Sequence, residues 1–247
     1  MRNSILTKVR RKLKFLKDTS WGNVKLFFNP HCHKSFSQCG EDLIVKNVFD
    51  AIGETTPTYI DIGAHHPYKH SNTALFSVLG SNGLNVEPDP DLYPAFLAER
   101  PADINVNAGI ADNPGELEFF VMKNRTLNTF SREKATEYEK EHGVPIMEEK
   151  KIPVVSLKHL FEKYGAGKFW DFMSIDVEGY EMPILQSHDW NGPSPKIICC
   201  ETISYSTTGK GLKDQAIIDF LCNKGYLLYA DTHVNSIFVK REVWESR

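Results

Sequence analysis

The stretch Thr58-Tyr59-Ile60-Asp61-Ile62-Gly63 is a short run of β-branched and aromatic residues that ends at a glycine. This composition predicts a buried strand over residues 58–62, because such side chains pack well in a sheet that is covered on both faces. An apolar pattern at helical spacing precedes the strand at 40–52, and Gly53 is placed to cap its C-terminus. A helix therefore leads into this strand.

Strand and helix patterns alternate along the rest of the chain. Further strands are predicted at 83–86, 104–107, 115–122, 152–156, 172–176, 196–201, 226–230 and 236–240, with 152–156 as a candidate hairpin partner of 115–122. Further helices are predicted at 71–79, 90–100, 158–164, 178–187 and 213–224. Such alternation implies right-handed crossovers and a mostly parallel sheet with helices on both faces. We therefore predict an α/β, Rossmann-like fold: a mostly parallel seven-stranded sheet with a terminal antiparallel hairpin.

Charge is distributed unevenly along the chain. Residues 1–17 carry seven basic side chains and no acidic one, whereas the remaining residues carry 22 Lys and Arg against 32 Asp and Glu. We predict a basic N-terminal helical segment at 1–34 and a single domain at 35–247, with an insertion near 113–156. The basic segment is either a solvated helix or a peripheral contact with an anionic membrane surface. Because the body of the chain is acidic, we do not expect nucleic acid as a partner.

The cysteines and the apolar runs bear on the compartment. Five cysteines, without metal-ligand spacing, argue against a disulfide framework. Cys199 and Cys200 are adjacent in an apolar run, so we expect them to pack on opposite sides of a strand. No apolar run has the roughly 18–20 residues of a membrane-spanning helix, and the N-terminal pattern does not fit a signal peptide. These features predict a cytoplasmic protein, with a possible location at the inner face of a membrane.

Polar residues follow the first predicted strand, at the sheet edge where parallel strands bind ligands. The loop Asp61-Ile62-Gly63-Ala64 lacks the three-glycine spacing that a pyrophosphate requires, so a dinucleotide fits poorly. A carboxylate at position 61 repels phosphate but tolerates a cation, and S-adenosylmethionine carries a sulfonium and an α-ammonium group. We therefore predict that Asp61, Gly63 and Ala64 bind this cofactor.

The next two strands also end in polar residues. Glu87 follows the second strand, about 24 residues after Gly63, where an acidic side chain accepts hydrogen bonds from both ribose hydroxyls. Asn107 follows the third strand, where contacts with the adenine edge occur in this architecture. We predict that Glu87 and Asn107 bind the cofactor.

Several motifs together resemble the FkbM-type methyltransferases. They are Ser37-Gln38-x-Gly40-Glu41-Asp42, Tyr59-Ile60-Asp61-Ile62-Gly63-Ala64-His65, Asn85-Val86-Glu87-Pro88, Leu127-Asn128-Thr129, Ser174-Ile175-Asp176-Val177-Glu178-Gly179-Tyr180-Glu181 and Asn235-Ser236-Ile237-Phe238-Val239. The resemblance covers roughly residues 35–240. It implies a class I methyltransferase fold and O-methylation of a hydroxyl, with a small molecule or glycan as acceptor. It also implies that Gln38 and Asp42 bind the cofactor, in a segment that folds over the cofactor pocket.

Three residues are candidates for catalysis. Asp176 ends a buried strand, matches an acidic position in the family pattern and is also a candidate cofactor ligand. Glu201 ends the next strand, and His65 lies on the cofactor loop with a side chain that titrates in the useful range. The converging carboxylates either bind a divalent cation or include one base with a raised pKa. We favour the base and predict no metal ligand.

Two other functions fit a Rossmann-like chain. An NAD-dependent oxidoreductase requires glycines after the first strand that this chain lacks. A catalytically silent binding module in a glycan-synthesis complex predicts loss of Asp61, Gly63, Glu87 or Asp176, and all four are present. The sequence therefore favours an S-adenosylmethionine-dependent O-methyltransferase.

Overall fold

A computed structural model describes residues 33–203 and 211–247 of the chain. Most of the predicted basic segment at 1–34 lies outside these residues. Residues Ser35–Arg247 form one compact unit. The described part of this unit contains one sheet of seven strands and a second sheet of three strands.

The elements follow one another in nearly the predicted order. Up to the second sheet they are α1 (Glu41–Ala51), β1 (Tyr59–Ile62), α2 (Ala74–Val78), β2 (Gly83–Val86), α3 (Tyr93–Glu99), β3 (Ile104–Val106), β4 (Gly109–Ile110) and β5 (Gly115–Met122). A 3₁₀ helix (Arg125–Leu127), α4 (Arg132–His142), β6 (Ile146–Val155) and α5 (Leu157–Tyr164) come next. The chain ends with β7 (Phe172–Ile175), α6 (Glu181–Ser187), β8 (Ile197–Glu201), α7 (Gln215–Asn223), β9 (Tyr226–Asp231), β10 (Asn235–Lys240) and α8 (Arg241–Glu245).

The large sheet has the strand order β3-β2-β1-β7-β8-β10-β9. All neighbours are parallel except β10, which runs antiparallel to both β8 and β9. This confirms the predicted seven-stranded sheet with a terminal antiparallel hairpin. The strand order reverses between β1 and β7, and ligands bind at such a reversal in open parallel sheets. Asp61 and Ser174 are partners in the β1–β7 register.

The two faces of the sheet pack against separate apolar clusters. One cluster contains Ile60, Met173 and Cys200, and the other contains Tyr59, Phe172 and Cys199, all fully buried. Alternate residues of each strand therefore reach opposite faces, as the pleat of a strand requires. The predicted separation of the two adjacent cysteines is confirmed.

The region predicted as an insertion contains the second sheet, in the order β4-β6-β5. The predicted pairing of 115–122 with 152–156 is confirmed, and β6 extends back to Ile146. Strand β4 was not predicted, because a strand of two residues is too short to show periodicity. Helix α4 begins after Ser131, whose side chain accepts from the Lys134 amide, a standard N-cap.

Three predicted helices, those expected from residues 71, 90 and 178, begin three residues later than predicted. The pattern predicted a helix from residue 178, whereas α6 begins at Glu181. Glu178 and Gly179 both have positive φ, 54° and 94°, so they form a turn instead of the first helical residues. This turn places Glu178 at the carboxyl end of β7. None of the helices in the described ranges is long and apolar enough to cross a membrane.

Candidate active site

A cavity of about 340 Å³ lies at the carboxyl ends of the parallel strands. This volume is within the range of small-molecule sites, which is about 300–1,000 Å³. Most of the predicted site residues line it: Gln38, Asp61, Gly63, Ala64, His65, Glu87, Asp176 and Glu201. Asp42 and Asn107 are not among the lining residues.

Gly63 joins the loops that follow β1 and β7. Its φ is 78°, and its amide donates to the Val86 carbonyl at 3.0 Å. A Cβ at this position would lie 1.8 Å from the Asp176 carbonyl oxygen, a distance that no side chain tolerates. The sequence predicted a close approach of Gly63 to a ligand. In the structure, its close approach is to the backbone of the β7 loop.

Asp61 places a buried carboxyl in the cavity wall. Its Oδ2 accepts a hydrogen bond of 2.6 Å from the Thr73 hydroxyl. Burial raises the pKa of Asp61, while this hydrogen bond and the charge of Arg100 lower it. An opposite charge inside the cavity would favour the ionised form further.

Glu87 is held by two backbone amides. Its Oε1 accepts from the Asp89 amide and its Oε2 from the His65 amide, each at 2.7 Å. Burial raises the pKa of Glu87 to about 8, and the two amide bonds act in the opposite direction. Each carboxylate oxygen has two acceptor positions, so Glu87 can accept hydrogen bonds from two further hydroxyls.

Two predicted cofactor residues stabilise the loops around the cavity. The Asn107 side chain donates to the carbonyls of Glu87 and Pro88 at 2.7 and 3.1 Å, so it shapes the loop after β2. Asp42 is buried and accepts from Ser35 Oγ at 2.6 Å and the Phe36 amide at 2.7 Å, in the turn before α1. Both side chains therefore bond to other parts of the protein, and neither lines the cavity.

Asp176, Glu178 and Glu201 form a carboxylate cluster, in which one oxygen of each residue lies within 4.8 Å of the other two. Burial is the largest cause of the raised pKa of each, and the like charges add to it. The pKa of Asp176 rises to about 7. Asp176 also shares a hydrogen bond with Glu201. The cluster therefore retains protons near neutral pH, and its hard oxygen atoms are also of the kind that divalent cations prefer.

The insertion holds Glu178, a residue that was not among the predicted site residues. The Tyr138 hydroxyl of α4 donates to Glu178 Oε2 at 2.6 Å, and the Thr129 hydroxyl donates to the Glu178 carbonyl at 2.9 Å. Thr129 stood out in the sequence motif Leu127-Asn128-Thr129. Tyr138 did not, because α4 is largely charged and buries only Ala135 and Tyr138.

Asp89 attaches the insertion to the loop after β2. This fully buried residue accepts from Arg125 Nη1 at 2.7 Å and from Asn128 Nδ2 at 2.9 Å. Asn128 Oδ1 in turn accepts from the Met122 amide at 2.9 Å. Asp89 was not among the predicted site residues, although its place two residues after Glu87 was a usable signal.

His65 lines the cavity with a partly buried ring. Its φ of 53° is unusual for a residue that has a Cβ, and its amide bond to Glu87 stabilises this conformation. Burial lowers the pKa of its imidazole, and the neighbouring His66 and Lys69 lower it further. Near neutral pH the ring is therefore mostly uncharged and able to accept a proton.

The strand order, the reversal between β1 and β7 and the acidic residues at the strand ends define a Rossmann-like methyltransferase. A family model described as the methyltransferase FkbM domain matches residues 61–228. The chain therefore belongs to the FkbM methyltransferase family, as its motifs predicted. Its cofactor is S-adenosylmethionine, which confirms the prediction from the β1 loop.

Solved structures with a similar fold are distant in sequence. A TehB-like S-adenosylmethionine-dependent methyltransferase from Corynebacterium glutamicum is 10% identical, with 95% of this chain and 98% of that chain covered and a TM-score of 0.41. The 1,6-didemethyltoxoflavin-N1-methyltransferase from Burkholderia thailandensis is 7% identical, with 92% and 84% covered and a TM-score of 0.38. A search of curated proteins finds no match. The assignment therefore rests on the family match.

Proposed function

We propose that this methyltransferase transfers a methyl group to a hydroxyl of a sugar, glycan or related small molecule. The observation that carries this proposal is the carboxylate cluster of Asp176, Glu178 and Glu201 beside the cofactor cavity. A hydroxyl acceptor must lose its proton during transfer, and a buried carboxylate is a suitable proton acceptor. An acceptor without a proton to lose would not need this cluster.

The residues at the ends of β1 and β2 fit the cofactor. S-adenosylmethionine supplies an activated methyl group on its sulfonium sulfur. Glu87, which is oriented by two amides, accepts hydrogen bonds from the ribose hydroxyls. Asp61 faces the cationic amino-acid end, since a buried carboxylate favours an opposite charge beside it. These contacts fix the direction from which the methyl group is presented.

Asp176 acts as the general base. With a pKa of about 7 it is partly ionised near neutral pH. It would accept the proton of the acceptor hydroxyl while the oxygen takes the methyl group and the sulfur keeps the electron pair of the broken carbon–sulfur bond. The hydrogen bond from Glu201 orients it. A general base contributes about 10²–10⁴-fold to a rate, whereas alignment of the reactants contributes about 7–11 kcal/mol.

The insertion lines the cavity with groups that suit a sugar. Two aromatic residues, Phe119 and Phe130, and two polar residues, Arg125 and Thr126, are among the residues that line it. Aromatic faces beside polar groups favour ligands with an apolar face and a hydroxylated edge. This supports a carbohydrate acceptor over a fully apolar one.

The variant Asp176→Asn tests the proposal. We expect turnover to fall by about 10²-fold or more, with S-adenosylhomocysteine affinity changed by less than about threefold, because the base acts on the acceptor. Turnover is measured as methyl transfer to a panel of mono- and oligosaccharides, and affinity by calorimetry. The exposed Asp112→Asn is the matched control and should retain both. Equal losses of turnover and affinity, or transfer to amines alone, would contradict the proposal.

A further inference from the structure

A chain of buried hydrogen bonds leads from Arg100 to Asp61. Arg100 Nη1 donates to the Thr73 hydroxyl at 3.1 Å, and that hydroxyl donates to Asp61 Oδ2 at 2.6 Å. The residues are only 2%, 0% and 4% exposed, respectively. Because the guanidinium only donates, the Thr73 oxygen accepts from Arg100, and the one hydroxyl proton is left for the ionised Asp61 carboxylate.

Asp103 and Tyr59 fix the position of the Arg100 guanidinium. Arg100 Nε donates to Asp103 Oδ2 and Nη2 donates to the Tyr59 hydroxyl, both at 2.7 Å. Tyr59 donates in turn to Asp103, which also accepts from the Gly83 amide at 3.0 Å. Strands β1 and β2 therefore set the position of this positive charge relative to the cavity.

Among the residues that the structure describes, the charges in this region do not balance. Arg100 and Asp103 form a buried ion pair, and Asp61 is an additional buried carboxyl. Asp61 also raises the pKa of Glu87 and of Asp176, so the acids around it are mutually unfavourable when ionised. A buried carboxyl without a compensating charge takes up a proton, unless hydrogen-bond donors stabilise its ionised form.

Helix capping does not account for Thr73. It occupies the N-cap position of α2, but its side chain makes no capping hydrogen bond to the helix. A capping threonine would accept from a backbone amide near the start of the helix. The Thr73 hydroxyl instead donates to Asp61, so its interaction is with the cavity wall.

We propose that Arg100, through the Thr73 hydroxyl, is a positioning residue that keeps Asp61 ionised and directed at the cationic amino-acid end of S-adenosylmethionine. The inference rests on the placement of that end beside Asp61 in the proposed function. Arg100 is not among the residues that line the cavity. Arg100 acts only on the ionisation and the orientation of the Asp61 carboxyl.

Binding of two ligands to Thr73 variants tests the inference. S-adenosylhomocysteine carries the ammonium group, and methylthioadenosine lacks the amino-acid portion but retains the nucleoside and the sulfur. We expect Thr73→Val to weaken S-adenosylhomocysteine binding by about tenfold and to leave methylthioadenosine binding unchanged, because the lost hydrogen bond is to a charged group. Thr73→Ser keeps the hydroxyl and should bind both ligands as the parent protein does. Affinities are measured by calorimetry, after thermal unfolding shows that each variant is folded.

Other outcomes would overturn it. Equal weakening of both ligands by Thr73→Val indicates distortion of the pocket, and unchanged S-adenosylhomocysteine affinity shows that the hydroxyl is not needed. If Thr73→Val does not fold, the smaller Thr73→Ala is measured in the same way. Asp61→Asn separates the two proposals. If it leaves S-adenosylhomocysteine affinity unchanged, the proposed cofactor placement fails; if it weakens binding while Thr73→Val does not, only the role of Arg100 and Thr73 fails.

Discussion

At the scale of single residues, Gly63 and Gly53 share a backbone conformation but not an environment. Their φ angles are 78° and 76°. A Cβ on Gly53 would meet no atom within 4 Å, whereas a Cβ on Gly63 would lie 1.8 Å from the Asp176 carbonyl oxygen. The obstructing atom belongs to the backbone between β7 and the carboxylate cluster, so rotation of a side chain cannot relieve the clash.

Alanine substitutions at these two glycines separate the cost of a Cβ at positive φ from the cost of a steric clash. We expect Gly53→Ala to lower the free energy of unfolding by about 1 kcal/mol, the cost of a Cβ at positive φ. Gly63→Ala should lower it by more than about 3 kcal/mol and abolish S-adenosylhomocysteine binding, because the two loops must separate. Urea denaturation and calorimetry measure both effects. Equal costs at the two positions would show that the loops are not in contact.

At the scale of elements, the insertion is attached to the large sheet at two places. Asn128 bonds to Asp89 in the loop after β2, and Thr129 bonds to the Glu178 carbonyl in the turn after β7. Two consecutive residues therefore connect the cofactor loop and the carboxylate turn. These structural bonds account for the presence of Asn128 and Thr129 in the motif Leu127-Asn128-Thr129, without a direct contact with the acceptor.

Loss of one attachment should loosen the insertion. Asn128→Ala leaves the buried Asp89 with one donor fewer and the Met122 amide without its partner, so we expect a loss of about 1–3 kcal/mol in stability. Amide hydrogen exchange in β5 should increase in parallel. Asn113→Ala, an exposed residue that bonds only to Asp112 in the described structure, is the matched control. Similar exchange in both variants would argue against the attachment.

At the scale of the whole molecule, several carboxyls are buried around one cavity. Burial raises the pKa of Glu87 to about 8 and that of Asp176 to about 7. In the unfolded chain such groups ionise at ordinary values, so between about pH 4 and pH 8 unfolding releases protons. The stability contributed by these groups is therefore present at low pH and is lost as pH rises through their folded-state values.

The ligand-free protein should accordingly be less stable at about pH 8 than at about pH 5.5. We expect Glu87→Gln to reduce this dependence by at least about 1 kcal/mol over that interval, since a pKa difference of one unit corresponds to about 1.4 kcal/mol. Urea denaturation at the two pH values measures it, with the exposed Glu116→Gln as control. A dependence that Glu87→Gln leaves unchanged would show that this carboxyl does not govern it.

The sequence by itself determined the sheet and the edge on which the site lies. Local periodicity predicted the strands and most of the helices, and alternation of the two predicted a parallel sheet. The carboxyl ends of parallel strands meet at one edge, so Asp61, Glu87, Asp176 and Glu201 were predicted together from their positions alone. The structure brings all four to the same cavity.

Only the tertiary structure decided which partners these residues have. Gly63 meets Asp176, Thr73 meets Arg100, and Tyr138 meets Glu178, in each case from segments far apart in the chain. Local periodicity shows which side of an element a residue occupies, but a hydrogen bond depends on which other element packs there. For the same reason the sequence could not show that Asp42 bonds within the turn before α1, or that Asn107 bonds to the carbonyls of the loop after β2.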